Sequence, residues 1–227
     1  MRPRTRWIAL SDAPGLGDLG PREVDVGIAS MAWPAFTPVS QVNHPPQRRV
    51  QPVGPYGFKT SHWAIRELLS QQAQGRIPPE RWELTRSSQG KPEVAGPEPG
   101  YQVSIAYAGD ICAVAVTKHR PVGIDVEALA YRVDDDMPTH LLSHHETRLV
   151  RHDPGMFMTI WTLKEALAKE NGEGLMGDAT AIDTATYALA PAGIMKDRPD
   201  GGAVFHDGFR LGDSDYALAL TLGPRRG

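Results

Sequence analysis

The sequence predicts an α+β fold in which hairpins and helices are mixed in both halves of the chain. Three observations carry that prediction. Residues 101–127, "YQVSIAYAGDICAVAVTKHRPVGIDVE", fall into three short apolar stretches separated by the turn Ala108-Gly109-Asp110 and by "TKHRP", the pattern of consecutive strands in a meander or hairpin. Residues 157–171, "FMTIWTLKEALAKEN", place Ile160, Leu163 and Leu167 on one helical stripe. The tail "GFRLGDSDYALALTLG" reads as a second hairpin.

The elements follow in order. Trp7 to Leu10 and "EVDVGIASMAW" are short extended segments, and Pro34 to Gly57 is rich enough in proline and glycine to read as loops. "HWAIRELLSQQ" (62–72) spaces Trp63, Ile65, Leu68 and Leu69 as a helix. Polar, proline-bearing loops are expected from there to about residue 100. After the three strands, Ser143 with Glu146 forms a capping-box signature that starts a helix, and "DPG" at 153–155 breaks the chain. The next helix ends at Asn171-Gly172, where glycine accepts the left-handed conformation that stops a helix. The two halves are alike in outline, each with a helix and a terminal hairpin, although no residue-level repeat accompanies the likeness.

With 227 residues, 41% of them hydrophobic and 22% charged, the chain can bury a substantial core as one large domain or two lobes. A net charge of −3 argues against bulk binding to nucleic acid or an anionic membrane, so an anionic ligand needs a local basic cluster. No apolar run approaches membrane-spanning length, and "WIAL" is too short for a signal-peptide core, which predicts a cytoplasmic protein. Cys112, the single cysteine, sits in "ICAVAV" and reads as a small buried hydrophobe rather than a reactive thiol.

Two stretches bear charges that packing alone does not require. In the strand "VGIDVE", Val122, Ile124 and Val126 share one face, and Gly123, Asp125 and Glu127 the other. Two carboxylates side by side repel unless a proton or cation bridges them. An isolated pair reads equally well as a solvated strand face or as part of a hard-cation site. In the helix, Trp161, Glu165, Ala168 and Lys169 form a stripe beside the core stripe. Glu165 and Lys169 alone are an ordinary surface pair worth about 0.3 kcal/mol. Taken together, Asp125, Glu127 and Glu165 would hold Mg²⁺, with Lys164 and Lys169 facing the phosphates of an anionic substrate, the arrangement that phosphoryl transfer uses.

"VGIDVE" followed downstream by "WTLKEALAKENGEGL" resembles the paired signature of 4′-phosphopantetheinyl transferases, G-[IV]-D-x-E and W-x-x-K-E-[AS]-x-x-K. "LLSHHETRLV" is similar to the family's F-F-S-x-x-E segment, "QGKPEV" to its G-K-P motif, and "YQVSIAYAG" stands where members carry F-N-x-S-H-S. The order and spacing resemble the larger, surfactin-synthetase-activating type, a pseudo-dimer of two α/β lobes in one chain. That likeness implies an N-terminal, coenzyme-binding lobe (1–121) and a C-terminal, metal-binding and catalytic lobe (122–227).

The resemblance also implies the reaction. Coenzyme A gives its phosphopantetheine arm to a serine of an apo acyl or peptidyl carrier protein, as in fatty-acid, polyketide or nonribosomal-peptide synthesis, and adenosine 3′,5′-bisphosphate leaves. Asp125, Glu127 and Glu165 match the ligands of Mg²⁺, for which Mn²⁺ would substitute. Glu165 doubles as the base and Lys169 contacts the phosphates. Lys164 matches the signature lysine before that glutamate, Lys91 and Pro92 the adenine-side contacts, and Ser104 the serine of S-H-S. Ile105 occupies the histidine position. Among N-terminal basic residues, Arg48, Arg49, Lys59 and Arg66 are candidates for gripping phosphate, with Arg49 and Lys59 favoured. A chain of this length is expected to work as a monomer, the coenzyme lying between Lys91 of the first lobe and Lys169 of the second.

Competing signals are weaker. "GLGDLG" (15–20) matches a dinucleotide-binding glycine pattern, but Asp18 would face a pyrophosphate and no acidic residue follows at the ribose distance, which favours a plain loop. His140, His144 and His145 invite a Zn²⁺ reading, which the capping box disfavours by placing His140 ahead of the helix. Two alternative functions remain open: a Mg²⁺-dependent phosphohydrolase using the same carboxylates, and an inactive carrier-protein or coenzyme-binding module.

Overall fold

The computed structural model describes residues 24–30, 55–129, 139–172, 179–211 and 213–225. Arg48, Arg49, the Trp7–Leu10 segment and the 15–20 glycine pattern lie outside them. Two antiparallel sheets are built from successive parts of the chain. The first takes β1 (Val24–Ser30), β2 (Glu83–Arg86), β3 (Pro92–Gly96), β4 (Tyr101–Ala108) and β5 (Ile111–Lys118), in the order β1-β5-β4-β3-β2. The second takes β6 (Val122–Ala128), β7 (Lys196–Asp197), β8 (Ala203–Leu211) and β9 (Ser214–Leu222), in the order β6-β9-β8-β7.

The sheets face each other. Val26, Ile28, Ala106, Ala113 and Ala115 from the first meet Ile124, Val126, Phe205, Leu218 and Leu220 from the second. Small residues on one side and large ones on the other let the two layers approach, and each large side chain buried there contributes about 1.5–3 kcal/mol. Each outer face is covered by helix. On the first sheet, α1 (Pro55–Gln72) lays Ala64, Ile65, Leu68 and Leu69 over Val103, Val114 and Val116. On the second, α3 (Met156–Asn171) lays Ile160, Leu163 and Ala166 over Val204, Ala217 and Ala219. Between β6 and β7, inside the second sheet's sequence, come the short α2 (His144–His152), which packs against α3, and after α3 the single-turn α4 (Ala185–Ala188).

Several expectations are met at the level of local chemistry. Ser143 Oγ accepts from Glu146 N at 3.2 Å while Ser143 N donates to Glu146 Oε2 at 2.7 Å, a complete capping box that starts α2. α3 stops where Gly172 turns left-handed at φ 80°. Cys112 is fully buried, and that burial pushes its thiol up to about 12.

Others need correction. β6 does not continue the meander of β4 and β5: it leaves for the second sheet and pairs with β9, Asp125 opposite Ala219. Pro121 marks the crossing, where Gly223 N donates to Pro121 O at 2.9 Å and Arg120 Nε to Gly223 O at 2.9 Å. The stretch expected to be loop up to residue 100 contains the hairpin β2–β3, whose mostly exposed side chains give little apolar periodicity. Helix α1 begins at Pro55, inside the proline-rich run expected to be loop, because proline is tolerated in a first helical turn. No helix among the described residues is long and apolar enough to cross a membrane.

Candidate active site

Gly123 shows why β6 and α3 can cooperate. A Cβ built at residue 123 would lie 1.8 Å from Ala166 O and 2.6 Å from Glu170 N, so the helix backbone rests directly on the strand. Only glycine permits that approach. Once the two backbones are that close, side chains on the strand face that carries Asp125 and Glu127 meet those of Glu165 and Lys169 on the helix.

The meeting is electrostatic. Lys169 Nζ donates to Asp125 Oδ1 at 2.6 Å. Asp125 is only 4% exposed, and its Oδ2 is buried without a hydrogen-bond partner among the described residues. Burial pushes the Asp125 carboxyl up to about 7, with Lys169 pulling it down and the charges of Glu127 and Glu165 pushing the same way as burial. Glu127 and Glu165 are half-buried and also lie above the ordinary carboxylate range, chiefly through burial. Trp161 donates its indole Nε1–H to Glu127 Oε1 at 3.2 Å and stacks on Phe157 with ring centroids 6.2 Å apart. The tryptophan therefore aims one carboxylate of the group.

Three carboxyls that repel one another in a partly dry pocket, one with an oxygen left over, form a donor set suited to a hard divalent cation. As they stand, no three His, Cys, Asp or Glu side chains among the described residues converge on one point, and the Lys169 ammonium occupies one Asp125 oxygen. The chemistry of the set fits Mg²⁺, and the arrangement offers both a base and a cation beside it.

The other residues singled out from the sequence are placed differently. Lys164 has no exposed surface: its ammonium pairs with Glu146 Oε2 at 2.8 Å, donates to Ala179 O at 2.7 Å and also donates to Ile182 O. It points away from Glu165 and Lys169, which corrects the expectation that it faces phosphate. Sequence spacing missed this because α3 is buried on more than one side and a two-stripe reading cannot say which side takes a lysine. Lys91 Nζ reaches across from the first sheet's β2–β3 turn to the carbonyls of Lys169 and Glu170, both at 2.7 Å, and so caps the C-terminal end of α3. Pro92 opens β3 opposite Arg86. Ser104 is buried with its Oγ accepting from Ile124 N at 3.1 Å, which ties β4 to β6. Ile105 packs against the core under α1. Lys59 belongs to α1, and its side chain is outside the described set. Glu146, remarked from the sequence as a cap and as the glutamate of the F-F-S-x-x-E resemblance, is the buried centre of a second polar cluster.

The stretch that carries this strand and helix matches a described family. Residues 121–221 match the model of the 4′-phosphopantetheinyl transferase superfamily, a span that runs from just before β6 through nearly all of β9. The chain is 30% identical over 149 residues to the 4′-phosphopantetheinyl transferase AcpT of Escherichia coli strain K12, covering 63% of this chain and 72% of that protein. AcpT of Escherichia coli O157:H7 matches to the same extent, and AcpT of Salmonella typhimurium is 27% identical over 142 residues, 60% of this chain and 71% of its own. The chain belongs to the 4′-phosphopantetheinyl transferase family and is an enzyme of that class.

Proposed function

We propose that this enzyme moves the 4′-phosphopantetheine arm of coenzyme A to a serine hydroxyl of an apo acyl or peptidyl carrier protein, with adenosine 3′,5′-bisphosphate leaving. The observation that carries the reading is the Asp125–Lys169 pair, a buried carboxylate whose second oxygen has no donor among the described residues. Asp125, Glu127 and Glu165 would hold Mg²⁺ or Mn²⁺, which when bound neutralises charge on the pyrophosphate being cleaved.

The chain's own residues do the rest. Lys169 is 30% exposed at the edge of the pocket, so its ammonium can leave Asp125 Oδ1 for a phosphate oxygen as the coenzyme arrives. Glu165 is held above the usual carboxylate range by burial, which strengthens it as a base for the serine proton. The proton passes from the serine hydroxyl to the Glu165 carboxylate, the serine oxygen bonds to the β-phosphorus, and the phosphoanhydride oxygen departs with the nucleotide. Trp161 keeps Glu127 aimed at the same volume.

The larger, pseudo-dimeric type is supported by the way each half is ordered. β1, α1 and the β4–β5 hairpin in the first correspond to β6, α3 and the β8–β9 hairpin in the second, with the last strand of each hairpin lying between the other two. A coenzyme lobe at 1–121 and a catalytic lobe at 122–227 follow that division, and a monomer in the cytoplasm is the corresponding proposal for the working state. Lys91 already bridges the two halves at the end of α3.

The test is direct. The protein is incubated with coenzyme A, Mg²⁺ and an apo carrier protein, and the carrier is weighed by mass spectrometry. A gain of one phosphopantetheine arm supports transfer. Free phosphopantetheine with an unmodified carrier points to the phosphohydrolase, and coenzyme A binding with no turnover to the inactive module.

A further inference from the structure

We infer that Lys164, with Glu146, is a positioning residue that sets the roll of α3 and thereby the place of Glu165 in the metal-holding group. The inference rests on the reading of Asp125, Glu127 and Glu165 as that group. Its observation is separate, namely the closed polar cluster on another face of the helix.

Every polar atom of that cluster has a partner. The Lys164 ammonium donates to Ala179 O and Ile182 O and is ion-paired with Glu146 Oε2 at 2.8 Å. Glu146 Oε2 also accepts from Ser143 N at 2.7 Å, and Oε1 accepts from Thr184 N at 2.7 Å and Thr184 Oγ1 at 2.8 Å. Both charged side chains are 0% exposed. One lysine therefore fastens α3 to the start of α2 and to the returning segment 179–184.

Helical geometry gives the cluster its reach. Successive residues are about 100° apart around the axis, so from Lys164 the positions of Trp161, Glu165 and Lys169 fall at about 60°, 100° and 140°, and Ala166 at about 200°. Ala166 is where β6 presses on the helix backbone at Gly123. The arc that carries the site residues is thus bracketed by two clamps, the ammonium cluster on one side and the glycine contact on the other. A carboxyl about 6 Å from the helix axis moves by about 2 Å if the helix rolls by about 20°. Functional constellations tolerate about 0.5 Å. Releasing the Lys164 clamp removes the restraint on the side of that arc away from the Gly123 contact.

The experiment neutralises the pair without stranding a buried charge, using the full-length variant K164M/E146Q. Mn²⁺ binding is followed by electron paramagnetic resonance without substrate, at a temperature where circular dichroism shows the variant folded. The expected result is Mn²⁺ affinity weakened by about 10–100-fold, the range found when groups supporting metal ligands are lost. With it, kcat for carrier modification should fall while the KM for coenzyme A stays within about twofold, a split that lost stability alone would not produce. If the folded double variant binds Mn²⁺ as tightly as the wild type, the inference is overturned and the cluster only stabilises the fold. If the wild type itself binds no Mn²⁺, the metal reading falls and takes the inference with it. Should K164M/E146Q not fold, Thr184→Val, which removes one hydroxyl donor to Glu146, replaces it. A two- to threefold loss of Mn²⁺ affinity then supports the inference, and an unchanged value overturns it.

Discussion

Lys164 and Lys169 both project from α3, and each meets a carboxylate, at 2.8 Å and 2.6 Å respectively. The first pair is closed. Neither side chain has exposed surface, and backbone groups from the start of α2 and from the 179–184 segment complete it. The second is open. Its lysine is 30% exposed, and its aspartate keeps a buried oxygen with no donor among the described residues. A closed ion pair has no valence left for a ligand, so it can act only through the shape it enforces. An open one keeps an unmet demand for positive charge, at a cost to the resting protein, and that demand is what a metal or a substrate can satisfy.

The sharpest way to break this contrast is through turnover. Asp125→Asn or Glu165→Gln should reduce carrier modification by about 10²–10³-fold or more, since each removes charge or a base from the proposed reacting centre. EDTA should do the same to the wild type. Near-normal rates with the chelator present, read by the mass of the carrier, would falsify the open-pair reading.

Stability should separate the pairs in the other direction. Lys164→Met strands a fully buried carboxylate and should cost about 3–5 kcal/mol in urea unfolding. Lys169→Met should cost about 1 kcal/mol or less, because Asp125, already raised to about 7 by burial, can take up a proton instead. Equal losses in the two variants would show that the distinction between closed and open is false. Gly123→Ala is the next smaller effect, because the new methyl must push the α3 backbone away from β6. Overpacking of this kind costs about 1–3 kcal/mol, and a fall in turnover larger than stability explains is expected with it.

The smallest effect is a control from the opposite side of the molecule. His62 on α1 lies near Arg66 and Arg86, and burial, then those arginines, lowers its pKa from 6.5 to about 4. Between those values the unfolded chain binds a proton that the folded one refuses, so stability is full above the upper value and falls as the pH drops toward the lower. His62→Gln should flatten the urea midpoint's dependence on pH between about pH 7 and pH 5 without altering the order of the two lysine variants. A slope unchanged by the substitution would assign the acid sensitivity elsewhere.

What could be read from the sequence was whatever depends on near neighbours. The Ser143–Glu146 cap, the Gly172 stop, the β4–β5 turn and the burial of Cys112 all follow from chemistry within a few residues. The signature residues Asp125, Glu127, Glu165 and Lys169 could be paired because their strand and helix faces have known periods. What could not be read depends on partners distant in the chain. Nothing in "VGIDVE" says that β6 pairs with β9 rather than β5, since both neighbours would bury the same apolar face. Lys164 looked like a second phosphate contact because its partners, Glu146 and the 179–182 carbonyls, come from segments whose return to α3 has no local signal. The hold of Lys91 on the end of α3 could not be read for the same reason.

The buried cysteine has a practical meaning for handling the enzyme. Coenzyme A, the proposed donor, ends in a free thiol and in air becomes a disulfide that caps accessible cysteines by exchange. Exchange needs an accessible, ionised partner. Cys112 is the only cysteine in the chain, has no exposed surface, and has its thiol pushed up to about 12. Aged coenzyme stocks should therefore leave the enzyme's own mass unchanged, so a phosphopantetheine-sized gain in an assay mixture can be assigned to the carrier.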